Sequence, residues 1–168
     1  MAVSGQSIRR KEDIRFITGK GRYTDDVSLP DQCHAIFARS PIAHANITSI
    51  DTTVAAAMPG VQLVLTGADY AESGLGTLVC GWMIHSKDGS EMKSGIHPPL
   101  ALGKVRHVGD PVAVVIADSR QMARDAAEMI DVEYEELVAV VSSKNAAGHE
   151  SSVHNEVPGN VAFDWELG

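Results

Sequence analysis

A chain of 168 residues is long enough for one well-buried domain, or for one domain with a tail, because domains commonly hold about 100 to 150 residues. Its 22 acidic residues outnumber its 14 basic ones, for a net charge of −8. That balance opposes nucleic acid or an anionic membrane as the main partner, since phosphate binding needs clusters of Lys and Arg. Aromatic residues make up only 5%, so we expect a core of small aliphatic side chains.

The cysteine content and the N-terminus indicate the compartment. Cys33 and Cys80 are too few for a disulfide framework and indicate two free thiols in a reducing environment. The first residues lack the apolar core of a signal peptide, and no segment approaches the roughly 18 apolar residues of a membrane span. We therefore expect a cytoplasmic protein that does not act at a membrane.

The first half of the chain alternates short apolar runs with turn residues. Pro59-Gly60 ends one Ala-rich run in the way that helices commonly end. Ile14, Phe16 and Ile17 are expected to pack inward from a helical turn. The predicted elements are a helical turn at 12–17, strands at 33–39, 44–50 and 61–66, and a helix over 51–58.

Residues 74–103 are rich in Gly, His and Met and show no sustained period. An irregular connection of this length is uncommon unless it packs against something or binds something. A short strand at 77–84 is the alternative. We predict one long irregular loop here.

Two strands are predicted in the second half. The unbroken apolar run 112–117 is typical of a strand that is covered on both faces. In 131–135 apolar and acidic residues alternate, which predicts a strand with Val132 and Tyr134 on its inner face and one face in water.

The segment between those strands predicts a helix. Asp118 is placed to cap it, with Gln121 at the third helical position able to reach back, as in a capping box. One apolar stripe is expected to lie on a sheet, made of Met122, Ala123, Ala126, Ala127 and Ile130.

From residue 142 the composition becomes that of a polar linker, and the chain then turns apolar at 161–165. Two interpretations stay open for the aromatic pair Phe163 and Trp165. Either a following region buries them, or the tail docks back on this domain.

No arrangement of reactive residues matches a known catalytic pattern. The histidines and cysteines form neither a Cys-x-x-Cys pair nor an HExxH motif, so no metal site is predicted. Cys33 and His34 are neighbours in a strand and point to opposite faces, which separates a nucleophile from its base. Ser40 lacks the Gly-x-Ser-x-Gly elbow. The residues alone indicate a mixed α and β domain without a self-contained active site.

Four stretches in the right order resemble one family. They are similar to the N-terminal domain of the large, molybdopterin-binding subunit of the molybdenum hydroxylases, which include xanthine dehydrogenase, aldehyde oxidase and aerobic carbon monoxide dehydrogenase. Residues 154–168 also resemble the family's link into its cofactor-binding domains, so the similarity covers roughly residues 6–168. The stretches are TGKGRYTDD at 18–26, Arg39-Ser40-Pro41 with Ala43-His44-Ala45, Ile50-Asp51 with Ala57-Met58-Pro59-Gly60-Val61, and VGDPVAVVIA at 108–117.

The resemblance implies an α+β fold, the α/β hammerhead, with a mixed sheet, two main helices packed on it and a long irregular loop. It further implies a hammerhead domain over 1–141 and a linker over 142–168 towards molybdopterin-binding domains outside this sequence.

The resemblance also implies the activity of the complete subunit. Such a subunit hydroxylates or oxidises an aldehyde, a purine or other heterocycle, or CO, with water-derived oxygen at a molybdenum-pterin centre. Electrons then pass to 2Fe-2S clusters and FAD in partner subunits or domains. The family's glycine-rich motifs, Gly-Gly-Gly-Phe-Gly and Gly-x-Gly-Glu, do not occur here. No catalytic, cofactor-binding or metal-binding residue is therefore predicted.

The 168 residues are thus expected to be a scaffolding first piece of a longer subunit, inactive alone. An expressed fragment, a split gene product and a truncated reading frame are equally compatible. Expected partners are an iron–sulfur small subunit, an FAD-binding medium subunit and the molybdopterin domains. Candidate partner contacts, with intramolecular packing as the alternative, are Arg39, Ser40, Pro41, His44, Trp82 and His85.

Two functions of other classes stay open. One is a stand-alone adaptor that binds a small ligand or a protein through the long loop. The other is a small hydrolase that uses Cys80 or Cys33 as a nucleophile.

Overall fold

The computed structural model describes residue 5 and residues 7–168. The chain divides into two compact units, residues 1–32 and 33–168, and each is described by itself. Among the described residues, no helix has the length and apolar character needed to cross a membrane.

The first unit contains helix α1, Asp13–Ile17, and a 3-10 turn, Thr24–Asp26. The rings of Phe16 and Tyr23 stack with their centroids 5.5 Å apart. The prediction that Ile14, Phe16 and Ile17 pack inward is wrong, because all three side chains are exposed. A five-residue helix with no buried residue has no covered face for them to join.

The second unit confirms the predicted strands to within one residue at each end. The predicted helix over 51–58 is shorter than expected, and 77–84 forms no strand. Its elements are β1 His34–Arg39, β2 Ala45–Asp51, α2 Thr53–Ala56, β3 Val61–Thr66, α3 Gly67–Glu72, β4 Lys104–Val105, β5 Pro111–Ala117, α4 Arg120–Glu128, β6 Asp131–Glu136, α5 Ser143–Ala146 and a 3-10 turn at Pro158–Asn160.

The strands form two three-stranded sheets, ordered β1-β5-β3 and β4-β2-β6. Val115 in β5 lies opposite both Ile36 and Val64, and every pairing in the two sheets is antiparallel. The α+β hammerhead class is confirmed. The structure differs from the predicted single mixed sheet, because its described strands pair only within two separate antiparallel sheets.

Helix α4 covers the first sheet, and small side chains fill the contact. Val115 and Ala117 of β5 and Ala123 and Ala126 of α4 are fully buried. Alanines on the helix let it approach the strands closely, which maintains dense packing. The predicted apolar stripe is confirmed except at Met122, which is 41% exposed at the edge of the contact.

The start of α4 differs by one residue from the prediction. Ser119, not Asp118, is the N-cap, and its side chain accepts a hydrogen bond from the Met122 amide at 3.2 Å. Asp118 lies just before the helix, and its amide donates a hydrogen bond to the Gly60 carbonyl at 2.9 Å. Gln121 donates to Asp125 at 2.6 Å instead of reaching back.

Residues at the C-terminal end of the chain lie against the 74–103 loop. The amides of Lys87 and Lys93 donate to the carbonyls of Asp164 and Ala162 at 2.7 and 2.9 Å. The Lys87 ammonium also pairs with the Asp164 carboxylate at 2.7 Å. This segment therefore contacts the loop through its backbone and through Asp164, while Phe163 and Trp165 stay 38% and 56% exposed, so the burial of the aromatic pair stays a prediction.

Candidate functional site

The turn after β1 is fastened to the turn before β5. Ser40 is buried; its amide donates to the Asp110 carbonyl at 2.9 Å, and its carbonyl accepts from the Gly109 amide at 2.8 Å. Its hydroxyl donates to the Ile42 carbonyl at 2.9 Å, which closes the turn around Pro41. The Arg-Ser-Pro motif thus forms a rigid corner.

Arg39 and Pro41 lie on the outside of this corner. Nη1 of Arg39 donates to the Gly109 carbonyl at 2.8 Å, and its guanidinium lies 5.5 Å from the centroid of the Phe37 ring. Both Arg39 and Pro41 are exposed. Of the residues in the corner, these two have surface available to a partner.

His44 immediately precedes β2 and is only 3% exposed. The Val138 carbonyl accepts a hydrogen bond from its Nδ1 at 2.8 Å. A carbonyl can only accept, so Nδ1 carries the proton, and Nε2 of the neutral ring is left as an acceptor. Nε2 is buried and has no partner among the described residues. His44 is held rigidly with one unsatisfied nitrogen.

Trp82 and His85 lie on the 74–103 loop. Trp82 is 81% exposed, and His85 forms an isolated β-bridge with Glu91. The Cys80 thiol, the candidate nucleophile, donates to the Trp82 carbonyl at 3.2 Å and not to an imidazole. The six candidate contact residues therefore comprise four exposed side chains and two buried ones, and contact with a partner stays a prediction for all six.

The structure also assembles a polar cluster that the sequence did not indicate. It lines a cavity of about 380 Å³. The Asp110 carboxylate accepts from the Arg106 amide at 2.9 Å and lies 3.7 Å from Nδ1 of His107. Nε of Arg106 donates to the Val153 carbonyl at 3.2 Å, which ties the C-terminal segment to this wall.

His154 completes this wall from the C-terminal segment. Burial lowers the pKa of His154, and the nearby positive charge of Arg106 lowers it further. Its ring packs on Gly95, where a Cβ atom would lie 2.2 Å from Nδ1. Residues so distant in sequence carry no local signal of their meeting, so only the tertiary fold shows the cluster.

The chemical capacity of these groups is hydrogen bonding and electrostatics. Throughout the described part of the chain, no three His, Cys, Asp or Glu side chains are arranged so that they could hold a metal ion. Burial raises the pKa of the Tyr134 hydroxyl, and a hydrogen bond with Ser40 partly offsets the rise. The buried polar groups thus brace the corner between the two sheets.

Comparison with known families agrees with this architecture. Residues 18–138 match the model described as "Aldehyde oxidase and xanthine dehydrogenase, a/b hammerhead domain". The match covers most of the chain. The chain therefore belongs to this family, whose members are domains of the large subunits of molybdenum hydroxylases.

Individual relatives give the same result. The chain is 40% identical to the nicotine 6-hydroxylase large subunit of Paenarthrobacter nicotinovorans, over 96% of this chain and 19% of that protein. It is 32% identical to the xanthine dehydrogenase molybdenum-binding subunit of Escherichia coli O157:H7, over 87% of this chain and 19% of that protein.

Among solved structures, quinoline 2-oxidoreductase from Pseudomonas putida 86 superimposes with a TM-score of 0.82 at 45% identity, over 94% of this chain and 19% of that one. The chain thus spans about a fifth of the length of each of these relatives.

Proposed function

We propose that this chain is the scaffolding domain of the large subunit of a molybdenum-dependent oxidoreductase and is inactive by itself. The observation that carries the proposal is the family match over residues 18–138 combined with relatives about five times longer. The rigid corner and the two small sheets provide a stable surface, and the reactive groups belong to other domains.

The complete enzyme hydroxylates or oxidises an aldehyde, a heterocycle or CO with oxygen from water. When bound, a molybdenum-pterin centre supplies the oxidising equivalents for this reaction. The name of one relative, a molybdenum-binding subunit, supports molybdenum as the metal. The 2Fe-2S clusters and FAD belong to partner subunits or domains.

The described residues do not fit a molybdenum-pterin group. No three of their His, Cys, Asp or Glu side chains are arranged to hold a metal ion, and the family's glycine-rich motifs do not occur in this sequence. We therefore place no molybdenum or pterin contact here. The hammerhead domain is assigned to 1–141, and 142–168 lead towards the cofactor-binding domains.

The partners are an iron–sulfur small subunit, an FAD-binding medium subunit and the molybdopterin domains. The residues proposed to contact them directly are the exposed ones, Arg39, Pro41, Trp82 and His85. Ser40 and His44, which are buried, position the corner from within.

The experiment is to produce the chain alone in cells that synthesise molybdopterin and to measure molybdenum, iron and flavin in the purified protein. A folded chain with none of the three in stoichiometric amount is expected. Stoichiometric cofactor with turnover would overturn the scaffolding role. A stand-alone adaptor instead predicts a saturable small ligand or partner in screens of the same preparation.

A further inference from the structure

The C-terminal segment, residues 142–164, is attached to the rest of the domain at few points. Its Val153 carbonyl accepts from Nε of Arg106, and its last carbonyls accept from amides of the 74–103 loop. Val157 is buried, and every other residue of the segment is half-buried or exposed. Asn160 bonds to Val153, Ala146 and Ser151, so the segment is braced as one unit. A unit with so little burial can open while the two sheets stay folded.

The ring of His154 fills the space that a side chain at position 95 would take. A Cβ atom on Gly95 would lie 2.2 Å from Nδ1 of His154 and 2.4 Å from its Cγ. Rotation of the ring about its bond to Cβ leaves Cγ in place, so this close fit depends on where the segment holds His154. Nδ1 is buried and has no partner among the described residues. The closed segment therefore packs the imidazole as an uncharged group.

Ionisable side chains surround His154 from the loop, from the turns beside β4 and β5, and from its own segment. Burial is the main cause that lowers the pKa of His154, and the positive charge of Arg106 lowers it further. Glu156 and Asp110 act in the opposite direction without restoring the ordinary value. The groups around the ring are Cys80, Lys93, His97, Arg106, His107, Asp110 and Glu156.

We propose that His154 makes the C-terminal segment a proton-sensitive latch, closed over Gly95 and Arg106 when the ring is neutral and open when the ring has taken up a proton from solvent. In the imidazolium both ring nitrogens are donors, and the closed position offers Nδ1 no acceptor among the described residues. Protonation also places a second cation beside Arg106. Opening lets water solvate the charged ring, frees Nε of Arg106 from the Val153 carbonyl and exposes the cavity that His154 lines.

The direction of the switch follows from the difference between the two states. The ring of the open segment has the ordinary pKa of 6.5, and the pKa of the closed ring is lower. As pH falls from 6.5 towards the lower value, the open form binds a proton that the closed form does not, so opening is favoured in that window. At pH 5.5 about nine-tenths of open rings are protonated, which limits the gain in the open-to-closed ratio over pH 7.5 to about tenfold.

The latch goes beyond the proposed function and does not depend on it. Every group that it uses belongs to residues 33–168, and no cofactor or partner subunit takes part. Loss of the scaffolding role would therefore leave the latch untouched, and the reverse also holds.

The test is hydrogen exchange of the wild-type chain at pH 5.5 and pH 7.5, with each rate compared with that of unstructured backbone at the same pH. The reporters are the amides of Lys87 and Lys93, which donate to Asp164 and Ala162. Their protection should be about threefold to tenfold lower at pH 5.5 than at pH 7.5. Amides of β5 should stay more strongly protected than both reporters at each pH. Equal protection in β5 would mean that the whole domain unfolds, and would overturn the latch.

A variant assigns the pH dependence to one ring. His154→Gln keeps a polar side chain that takes up no proton in this range, so protection at the two reporters should be the same at both pH values. His34→Gln, which alters a histidine in β1, should keep the decrease seen in the wild-type chain. The same decrease in His154→Gln as in the wild-type chain would overturn the proposal, as would a wild-type chain without a decrease.

A second variant opens the latch without a proton. In Gly95→Ala the new Cβ takes the place of the His154 ring, so the two reporters should lose protection at pH 7.5 and show no further change at pH 5.5. Gly81→Ala is the matched control in the same loop, because a Cβ there meets nothing within 4 Å. Wild-type protection and pH dependence in Gly95→Ala would contradict the proposed geometry. The wild-type comparison decides the proposal even if this variant does not fold.

Discussion

Gly67 lies directly against the backbone of Ala101. A Cβ atom built on Gly67 would lie 2.2 Å from the Ala101 carbonyl oxygen, closer than any real contact. Gly67 is the first residue of α3 and is buried, as are Leu100 and Ala101. The absence of a side chain at position 67 therefore lets the end of β3 pack against the segment that leads into β4.

Gly67→Ala should lower the free energy of unfolding by about 1 to 3 kcal/mol, because a methyl group there must push backbone away. Thermal or urea denaturation measures the loss. Gly76→Ala is the control, since a Cβ on Gly76 meets nothing within 4 Å. Equal midpoints for the two variants would show that the contact with Ala101 is not tight.

The N-cap of α4 can be assigned by comparing two neighbours. Ser119→Ala should cost about 1 kcal/mol of stability, because the Met122 amide loses its acceptor. Asp118→Ala should cost less than about 0.5 kcal/mol, since Asp118 is exposed and, among the described residues, its side chain contacts only the exposed Gln62 amide. A larger loss for Asp118→Ala than for Ser119→Ala in urea denaturation would show that Asp118 is the N-cap, as the sequence indicated.

Asn160 organises the C-terminal segment. Its Oδ1 accepts from the Val153 amide at 2.8 Å, and its Nδ2 donates to the carbonyls of Ala146 and Ser151 at 3.1 and 2.9 Å. Its backbone is left-handed, with φ of 57°, which Asn tolerates better than Ala.

Asn160→Ala should therefore loosen this segment and accelerate hydrogen exchange at the Lys87 and Lys93 amides, which donate to residues just beyond it. Asn155→Ala, at an exposed position nearby, serves as the control. Unchanged exchange rates in Asn160→Ala would mean that the 74–103 loop is ordered without the C-terminal segment.

His154 gives stability a pH dependence of known sign. Its folded pKa lies below the ordinary value of 6.5, because burial and then Arg106 disfavour the charged form. As pH falls from 6.5 towards the folded pKa, the unfolded chain binds a proton that the folded chain does not, so stability decreases in that window. Above that pH window, His154 is neutral in both the folded and the unfolded chain, so it adds no pH dependence to stability.

Urea denaturation at pH 7.5 and pH 5.5 tests this sign. The wild-type chain should lose more stability between the two values than His154→Gln loses. The same loss in both proteins would show that the pKa of His154 does not differ between the folded and the unfolded chain.

Local pattern predicted the strands well, and distant contacts account for what it missed. Val115 is fully buried between two partner strands, as the unbroken apolar run around it indicated. Which strands pair is not encoded in any short window, so the division into two sheets was not foreseen. The N-cap is Ser119 and not Asp118, because a backbone hydrogen bond to the Gly60 carbonyl in the turn before β3 holds Asp118 outside the helix.

In the candidate site, too, local sequence predicted some features and distant contacts determined the others. The motif around Ser40 and His44 was noticeable in the sequence, but its burial depends on the turn at Gly109 and Asp110 and on Val138. The neighbourhood of Arg106 and His154 forms only when the C-terminal segment folds back over the loop. A polar linker composition does not specify which residues that segment contacts.

We propose that this chain works within the large subunit of a molybdenum-dependent enzyme. The most direct measurement is the molybdenum content of the native protein, isolated from its source organism through an affinity tag placed before residue 1. Molybdenum in stoichiometric amount with the tagged polypeptide, carried by the longer chain or by a subunit bound to it, is the predicted result. Isolation of the intact tagged protein with no molybdenum would contradict this proposal.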